Sequence, residues 1–460
     1  MLLYYLATHD SAYLSFLQLL FREGFLMNEK KPSFHYAWVI LIGISLILGL
    51  AKGAITNGSS LFLTPVSTEL GIGMGNLTLY LSVGAIMTLV VLPFAGKLFE
   101  KYDVRLLLTI AIILQAGSFA AFGLMNSVWG WYIIAIPMAF GTVPVTLLAG
   151  PILIARWFKT RGGLALGIMG AVAGLLNVFI QLFVGNLIEA IGWRSTYIAV
   201  GLGIIVLTVP IALFLLRSRP QDKNLQPLGA DAQDGQAADA SIVGMAFEHA
   251  KKTKAFLLLG LFFFIITAVA SFAVHIPTYL AQNGYEVAFA GTTMSMVALG
   301  SLLGALTFGI LIDRIGAKTT ALGAMCMGII AILLFMLFPA STVLILVAGV
   351  LFGFISASIT TLAPALTTAL FGTRDYSRIY SSVSIGLAVA SIVALPGYGY
   401  VLDFTGSYTP AMIAVIVLLV INMLCILLAF RDKEALVKKG TWDSPAPVEE
   451  PATISKPELI

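Results

Sequence analysis

Charged residues are scarce in this sequence. Asp, Glu, Lys and Arg make up 10% of its 460 residues, whereas hydrophobic residues make up 59%. A soluble domain of this size carries about 25% charged residues. Uncharged stretches of roughly 20 residues or more, the length that an α-helix needs to cross a bilayer, recur along the whole chain. The composition excludes a soluble protein and favours one that lies in a membrane.

Cysteine is nearly absent, and other reactive groupings are missing. Cys326 and Cys425 both lie in apolar runs, so the sequence predicts neither a disulfide framework nor a metal site. It contains no phosphate-binding glycine-rich loop and no pairing of a nucleophile with a base. The net charge of +4 comes from basic loops and does not indicate nucleic-acid binding. We therefore expect no enzyme activity, no cofactor and no nucleic-acid partner.

Twelve apolar stretches are long enough to span a bilayer, and they predict an all-α membrane protein with twelve transmembrane helices. They fall near residues 36–62, 76–95, 105–126, 130–155, 163–190, 194–216, 255–280, 289–312, 318–338, 342–370, 379–402 and 408–430. The polar stretch 217–254 is predicted to be a flexible linker with a short helix at 241–252. Residues 431–460 form a tail that we expect to be disordered.

An N-terminal segment, residues 1–35, precedes the first span. Residues 1–26 mix apolar residues with His9, Asp10, Arg22 and Glu23, which is neither a signal peptide nor a full span. Met27 is followed by a polar stretch and then by the first span. We expect Met27 to be the natural start; the alternative is that residues 1–26 form an amphipathic helix on the membrane surface.

Basic residues concentrate in alternate loops. They lie between spans two and three, between four and five, and in each further loop on that side, whereas the opposite loops hold almost nothing basic except Arg194. Loops rich in Lys and Arg remain in the cytoplasm. The sequence therefore predicts a multi-pass protein of the plasma (cell inner) membrane whose termini and 217–254 linker are cytoplasmic.

Short motifs recur about 213 positions apart. The decapeptide GKLFEKYDVR at 96–105 matches GILIDRIGAK at 309–318, and FKTR at 158–161 matches FGTR at 371–374. At a separation of 214, Glu189 and Gly192 match Asp403 and Gly406. Several matches in register predict two pseudo-symmetric six-helix halves, 36–216 and 255–430. Parallel halves of this kind form transporters, with the substrate site between them near the middle of the membrane.

The repeated decapeptide resembles the loop motif of the major facilitator superfamily, Gly-x-Leu-x-acid-base-x-x-x-base. The resemblance implies the family's twelve-helix fold and a rocker-switch mechanism in which the two loops control the cytoplasmic gate. Its glycine would let neighbouring helices approach closely. The first copy has Asp103 where the family has Gly. The gating residues would be Gly96, Glu100, Lys101, Arg105, Gly309, Asp313, Arg314 and Lys318.

Two further segments are similar to the monocarboxylate transporter branch of that superfamily. YAWV at 36–39 resembles the end of the branch's motif at the start of span one. RWFKTR at 156–161, followed by LALG at 164–167, resembles its segment between spans four and five and is equally similar to the oxalate–formate exchangers. The resemblance covers residues 33–432 and implies a small organic anion, in the first place a monocarboxylate, as the substrate.

Lys52 is the strongest candidate for binding that anion. It lies about 24 Å along span one, near the middle of the membrane. A charge at that depth is energetically costly, and its presence there therefore indicates a function. Its pseudo-symmetry mate is Ile265, so the fold does not require a charge there. The resemblance implies the same role, since the monocarboxylate family carries an anion-binding lysine in span one. Thr56 follows one turn later; the alternative is a lysine that extends to the headgroups.

Other polar residues inside the spans are weaker candidates. His275 lies near the outer end of span seven with Tyr279 on the same face, as a proton site or a gate, although a lone histidine there is commonly a structural hydrogen-bond partner. Asn177 and Gln181 lie one turn apart on span five and either face the cavity or hold helices together. No metal site is expected.

Carboxylates are missing from the interiors of the predicted spans. The monocarboxylate family couples protons through an Asp–Arg pair in span eight, where this sequence has Ser301 and Ala305. The exchangers carry an extra basic residue in span eleven, which is also absent here. A single buried cation matches a monoanion better than a dianion.

These observations predict a secondary active or facilitative transporter of a small organic anion that works by alternating access. Its partners would be the lipid bilayer, the substrate and either a coupling proton or an exchanged anion. One alternative is efflux of amphipathic drugs or metabolites. Another is a transporter-like membrane sensor, which the short linker and tail argue against.

Overall fold

The structure, a computed structural model, describes residues 35–159, 161–229 and 244–438, apart from the side chain of Glu100. The expectations for residues 1–34, for the middle of the linker and for the end of the tail fall outside these ranges. Eight long apolar helices are continuous spans: α1 Ala37–Leu70, α2 Met74–Phe99, α3 Val104–Phe122, α4 Val128–Trp157, α7 Lys254–Gln282, α10 Thr342–Phe371, α11 Tyr376–Thr405 and α12 Thr409–Lys438.

Two further helical segments are too long to be single spans. Gly162–Leu215 has 54 residues and Val287–Leu337 has 51, which at 1.5 Å per residue is about 80 Å, far more than the ~30 Å hydrocarbon layer. Each breaks at one glycine with positive φ: Gly192 (φ 76°, ψ 161°) and Gly316 (φ 82°, ψ 157°). Glycine alone adopts this conformation at no steric cost. The breaks separate α5 (162–191) from α6 (193–215) and α8 (287–315) from α9 (317–337).

The described residues therefore form twelve membrane-spanning helices, as the sequence predicts. Irregular stretches repeat between the halves, again about 213 positions apart. α4 and α10 each contain a π-helical stretch, Val143–Leu148 and Ser358–Leu362. α1 and α7 each contain a 3-10 stretch, Gly58–Phe62 and Phe272–His275, and each is followed by a glycine with positive φ, Gly71 and Gly284. The N half (37–215) and the C half (254–438) are thus two copies of one design.

The helices extend furthest beyond the predicted spans at two ends. α1 continues past residue 62 through the segment Leu63–Leu70, whose Leu63 and Val66 are buried. α12 includes 431–438, the first part of the predicted tail. There Asp432 accepts a hydrogen bond from the Ala255 amide at 2.9 Å, and Lys433 donates one to the Ala369 carbonyl at 2.6 Å. These hydrogen bonds join the charged end of α12 to α7 and α10, so the helix continues after its apolar stretch ends.

The described ends of the linker are attached to the halves, which corrects the expectation of flexibility there, and a short helix, Phe247–Ala250, lies within the predicted 241–252. Leu228 exchanges backbone hydrogen bonds with Trp157 (2.8 Å) and Lys159 (3.0 Å) at the end of α4. Met245 donates to the Phe371 carbonyl at 2.9 Å, at the end of α10. Since 158 and 371 are equivalent positions, the linker is anchored at the same point on each half. We call Leu228 and Met245 the linker anchors.

Arg194, the exception among the loops poor in basic residues, is bound within the N half. It forms an ion pair with Glu69 at 3.0 Å and donates hydrogen bonds to the Met125 carbonyl and to Asn126 Oδ1. The Trp193 indole also donates to Glu69. Arg194 therefore joins the ends of three helices, and this structural role explains a basic residue on that side.

Candidate functional site

A cavity of about 580 Å³ lies between the two halves. It is bounded by α1 and α5 from the N half and by α8 and α10 from the C half, and none of the described residues that line it is acidic. We call it the central cavity. Its lining residues are Leu48, Lys52, Gly53, Asn57, Leu166, Gly167, Gly170, Ala171, Ala173, Gly174, Asn177, Ala298, Ser301, Leu302, Ala305, Leu306, Thr360 and Thr361.

Glycines allow α1 to pack closely on α5 and also leave open space in the central cavity. A Cβ at Gly53 would lie 2.9 Å from Ile180 Cδ1 and 3.3 Å from Asn177 Cα, and one at Gly49 would lie 3.1 Å from Ala173 Cα. Gly49 and Gly53 therefore let α1 pack directly on α5, as small residues four apart do in membrane helices. Gly167 and Gly170 on α5 face open space instead. The sequence thus fixes the position of α1 and leaves room beside it.

Lys52 is the positive charge of the central cavity. It begins the π-helical stretch Lys52–Asn57, about 23 Å from the start of α1, and its side chain is exposed to the cavity. No hydrogen bond or ion pair joins its ammonium group to any residue that the structure describes. An unpaired ammonium group in a low-dielectric setting is costly. The ammonium group therefore lies at the central cavity without a compensating charge among the described residues.

Uncharged polar groups line the same cavity as Lys52. Asn177 is half-buried, and its Oδ1 accepts a hydrogen bond from Gln181 Nε2 at 3.3 Å. Gln181 is 1% exposed and lies behind Asn177 rather than at the cavity surface. Ser301, Thr360 and other hydroxyls of the C half complete the polar part of the wall. The structure thus brings Lys52 and Asn177 together, with Gln181 as a support.

Three of the other predicted site residues lie away from the central cavity. Thr56 faces a separate cavity inside the N half, although it lies only four residues after Lys52 in the same π-helical stretch. His275 is fully buried between α7, α11 and α12. Tyr279 is 8% exposed and donates its hydroxyl hydrogen to the Phe335 carbonyl. Their assignment to substrate binding stays a prediction without support from this geometry.

Side chains close the protein on one side. We call the side where α1 begins and α12 ends the terminal side and the opposite side the distal side. Asp403, at the end of α11, accepts hydrogen bonds from the amides of Met74 and Gly75, both at 2.8 Å, at the start of α2. The Tyr400 hydroxyl donates to Asn76 Oδ1 at 2.9 Å. A carboxylate at a helix N-terminus is favourable because it meets free amides and the positive end of the helix dipole.

The same arrangement recurs at the pseudo-symmetric position. Glu189, at the end of α5, accepts a hydrogen bond from the Ala288 amide at 3.3 Å, at the start of α8. Just inside, Gly185 and Gly291 bring α5 and α8 together so closely that a Cβ on either would lie 2.9 Å from the other's Cα. We call these contacts, together with those of Asp403, the distal seal. The central cavity lies on its terminal side and extends to Leu166, about one turn from the terminal end of α5.

The motif residues lie on the terminal side, where the cavity is. Asp313 is exposed and forms no ion pair with any residue that the structure describes. A Cβ at Gly96 or Gly309 would have nothing within 4 Å, so the expected close helix approach at these glycines does not occur in this conformation. Arg314 is exposed, and Lys318 Nζ lies 5.6 Å from the centre of the Phe430 ring.

The first copy of the motif is organised by the residue that departs from the family pattern. Asp103 Oδ1 accepts a hydrogen bond from the Arg105 amide at 2.8 Å and so caps α3, and its carboxylate pairs with the Arg105 guanidinium at 2.8 Å. This bond to Arg105 lowers the pKa of the Asp103 carboxyl. Ser218, just after α6, donates to Asp103 at 3.2 Å. Lys101 lies over the Tyr102 ring, and the side chain of Glu100 is outside the described part of the chain.

Sequence reasoning gave no role to Glu189, Asp403 or Arg156. The Arg156 guanidinium donates to the Phe99 carbonyl at 2.9 Å and so holds the end of α2 to α4. The repeat pointed to Glu189 and Asp403, because they occupy equivalent positions three residues before Gly192 and Gly406. Their partners could not be found that way, since each binds backbone amides of the opposite half.

The chain is similar to known transporters in sequence and in fold. Residues 41–294 and 276–457 match the sequence profile of the Major Facilitator Superfamily. The MFS-type transporter hasB of Aspergillus fumigatus is 27% identical over 328 residues, which cover 68% of this chain and 71% of that protein. Monocarboxylate transporter 12 of Xenopus laevis is 23% identical over 416 residues, covering 84% and 88%.

A solved structure shares the fold. The crystal structure of a bacterial homologue of the human lysosomal transporter Spinster, in an inward-facing and unoccupied conformation, superposes with a TM-score of 0.68 at 16% identity. The match covers 91% of this chain and 100% of that one. At this identity the likeness concerns the fold alone.

Proposed function

The chain belongs to the major facilitator superfamily, and from this membership we propose that it carries a small organic anion, in the first place a monocarboxylate, across the membrane by alternating access. As a member it is a multi-pass membrane transporter and not an enzyme. The proposal that the substrate is an anion rests on the residues of the central cavity. The observation that carries it is Lys52, a cation without a partner that faces a cavity between the two halves.

The wall of the central cavity favours an anion with an apolar body. Leu48, Leu166, Leu302 and Leu306 line it together with alanines and glycines. A carboxylate on Lys52 would thus have polar neighbours such as Asn177, and the rest of the substrate would lie against leucines. The name of the relative monocarboxylate transporter 12 agrees with this class. The absence of acidic residues among the described lining residues favours exchange of one anion for another over a coupling proton held there.

Efflux of amphipathic drugs or metabolites is the second candidate. A volume of about 580 Å³ lies within the range of pockets that hold drug-sized ligands. Amphipathic compounds without an anionic group would bind the leucine wall and gain nothing from Lys52. The two candidates therefore differ in how strongly transport depends on that lysine.

The test is transport by the purified protein in proteoliposomes. Small carboxylates are first screened for their effect on thermal stability, and those that stabilise the protein are then measured in counterflow. Lys52→Ala should weaken the affinity for the anion by about tenfold to a hundredfold, because a charge-assisted hydrogen bond is worth roughly 1.5–3 kcal/mol. Lys52→Arg should rescue only partly, since it keeps the charge but changes its shape.

A matched control is Lys251→Ala, which removes a lysine that pairs with Glu248 in the linker. It should transport as the wild type does. If Lys52→Ala carries the anion with wild-type affinity, the site assignment is wrong. If the protein exchanges no carboxylate but transports lipophilic cations or neutral compounds, the efflux function is supported instead.

We also propose that the terminal side faces the cytoplasm and that the membrane is the plasma membrane, because the basic loops lie on that side. The present conformation, sealed on the distal side, is then inward-facing. In a cysteine-free background, cysteines near Gly73 and Gly284, introduced as Thr68→Cys and Gln282→Cys at exposed positions, should react with a membrane-impermeant thiol reagent in intact cells, whereas Gln233→Cys should not. Labelling at 233 would reverse the orientation.

A further inference from the structure

A groove of about 550 Å³ lies on the surface of the C half, between the start of α7 and the end of α12. It is therefore on the terminal side, and it shares no lining residue with the central cavity. We call it the basic groove. It is lined by Lys254, Leu257, Leu258, Leu428, Arg431, Asp432 and Ala435.

Lys254 and Arg431 give the groove its positive charge. Both residues are exposed, and no hydrogen bond or ion pair joins either side chain to any residue that the structure describes. Asp432 also lines the groove, but one of its carboxylate oxygens accepts the hydrogen bond from the Ala255 amide. Two positive side chains and one negative side chain leave the groove with a net charge of +1.

Backbone that is fixed by hydrogen bonds presents the two basic residues together. Lys254 directly precedes Ala255 and Arg431 directly precedes Asp432, and the Asp432 carboxylate lies 2.9 Å from the Ala255 amide. This bond holds the start of α7 against the end of α12. The positions of the two cations relative to each other are therefore set by the fold, although their side chains are free.

The repeated fold does not require these charges. In the N half, 213 positions earlier, Leu41 and Ser218 stand in the places of Lys254 and Arg431. Basic residues on one side of a membrane protein also set its orientation, but that role does not need two of them in one groove. Their shared position points to a bound anion.

Exposed leucines continue from the basic residues towards the middle of the membrane. On each helix they stand three and seven residues further into the apolar stretch, a spacing that keeps side chains on one face of a helix. All four are at least 43% exposed: Leu257 and Leu261 on α7, and Leu428 and Leu424 on α12. Each cation thus lies at the end of a leucine stripe that faces the lipid chains.

From these features we propose that the basic groove binds a phospholipid with a singly charged anionic headgroup, such as phosphatidylglycerol, from the leaflet on the terminal side. Its phosphate accepts hydrogen bonds from the Lys254 ammonium and the Arg431 guanidinium, the charged donors that bind phosphate best. Its acyl chains lie along the leucine stripes. A free phosphate ion would match the charges but would gain nothing from the leucines.

The test measures which lipid lies beside the groove. In a background that lacks Cys326 and Cys425, a fluorophore is attached to Leu424→Cys, which faces lipid but does not line the groove. The full chain is reconstituted in phosphatidylcholine vesicles with rising fractions of nitroxide-labelled phosphatidylglycerol or nitroxide-labelled phosphatidylcholine. Quenching gives the relative affinity of the two lipids. Without further substitutions, the protein should prefer phosphatidylglycerol by about tenfold or more.

Charge variants assign that preference to the groove. Lys254→Gln and Arg431→Gln should each lower it about fivefold, and the double variant should abolish it, because a basic residue near an anionic lipid surface contributes about that factor. The matched control combines Lys252→Gln with Lys438→Gln, two exposed lysines on the same side that do not line the groove. The control should keep the preference, and so should Lys254→Arg with Arg431→Lys, which retains both charges.

Four results would overturn the proposal. Equal quenching by the two lipids without charge substitutions would mean that only unselected boundary lipid is present. An undiminished preference in Lys254→Gln with Arg431→Gln would place the anionic lipid elsewhere. An equal loss in the control would assign the effect to the overall charge of the terminal side. Relief of quenching by inorganic phosphate would mean that the groove holds a soluble anion. None of these results depends on the identity of the transported substrate.

Discussion

Lys52 and His275 are both ionisable and both lie inside spans, but their surroundings differ. Lys52 is exposed to the central cavity and has no partner among the residues that the structure describes. His275 uses both ring nitrogens: Nδ1 lies 2.8 Å from the Tyr408 hydroxyl and Nε2 lies 2.8 Å from the Leu395 carbonyl. A carbonyl only accepts, so Nε2 carries a hydrogen, and in the neutral ring Nδ1 then accepts from the Tyr408 hydroxyl. Both ring nitrogens are hydrogen-bonded, so the ring joins α7 to α11 and to the start of α12.

Replacing His275 should therefore affect stability and not substrate affinity. His275→Ala removes two buried hydrogen bonds and leaves the Tyr408 hydroxyl without its histidine partner, and an unpaired buried group costs about 1–3 kcal/mol. We expect a lower apparent melting temperature with unchanged affinity in proteoliposomes. Lys52→Ala should show the opposite pattern. A His275→Ala protein of normal stability but weakened substrate binding would restore the histidine to the binding site.

The residue scale also shows what the sequence can and cannot predict about the site. Lys52 is predictable because a charge inside an apolar stretch is too costly to persist there without a role. The partners of His275 are more than 100 positions away and no local pattern indicates them. Thr56 would be one turn from Lys52 in a regular helix, but it faces the separate cavity inside the N half. Hydrophobic periodicity does not indicate that residues 52–57 are π-helical.

At the scale of elements, the crossing of α5 and α8 depends on two glycines. A Cβ at Gly291 would lie 2.9 Å from the Gln181 carbonyl oxygen and from Gly185 Cα. In an isolated helix, Gly→Ala is stabilising by about 1 kcal/mol. Here the clash is with backbone atoms, which cannot move aside as a flexible side chain can. Steric repulsion should therefore outweigh helix propensity.

We expect Gly291→Ala to separate α5 from α8 and open the distal seal. In a background that lacks Cys326 and Cys425, a cysteine introduced as Thr64→Cys lies in the closed contact between the halves, because Thr64 bonds to Thr278 at 3.0 Å. Gly291→Ala should speed its reaction with a reagent added from the distal side severalfold. Gly203→Ala is the control, because a Cβ at Gly203 has nothing within 4 Å. Equal rates in both variants would mean that the crossing tolerates a methyl group.

The membrane-spanning helices were largely predictable from the sequence, because an uncharged apolar stretch of about 20 residues seldom forms anything else. The junctions at Gly192 and Gly316 were less so. Hydropathy places a loop wherever polar residues interrupt an apolar run, and the residues around Asp313 and Arg314 read as such a loop. In the structure they remain helical up to a single glycine, since the terminal side gives them access to water while the backbone stays hydrogen-bonded.

For the whole molecule, we expect the distal seal to disfavour the conformation that is open on the distal side and the motif loops to favour it. Asp403→Asn keeps the shape of the side chain but removes its charge from the N-terminus of α2, an interaction worth roughly 0.3–1 kcal/mol. The population open on the distal side should rise about twofold to fivefold. If Asp313 latches the distal-open state, Asp313→Asn should lower that population and change the transport rate far more than the affinity.

Distances between spin labels on the distal ends of α1 and α7 measure these populations. Glu189→Gln should act in the same direction as Asp403→Asn, because the two carboxylates are pseudo-symmetry mates. A shift of the same sign in Asp403→Asn and Asp313→Asn would contradict a two-gate mechanism. No change in either would mean that helix packing alone sets the equilibrium.

The overall architecture follows from the repeat in the sequence, because equivalent motifs imply equivalent folds. The conformation does not follow from it. Which side is closed depends on small differences between contacts such as those of Asp403 and Glu189, and neither composition nor spacing records their balance.

The linker anchors bear on how the two halves stay together. The residues between Leu228 and Met245 can reach at most about 60 Å when extended, and each anchor lies on its own half. A chain cut between 230 and 243 would yield two fragments that each keep an anchor, and the distal seal could still join them. The covalent linker then guarantees one N half for each C half and keeps the two at a high effective concentration.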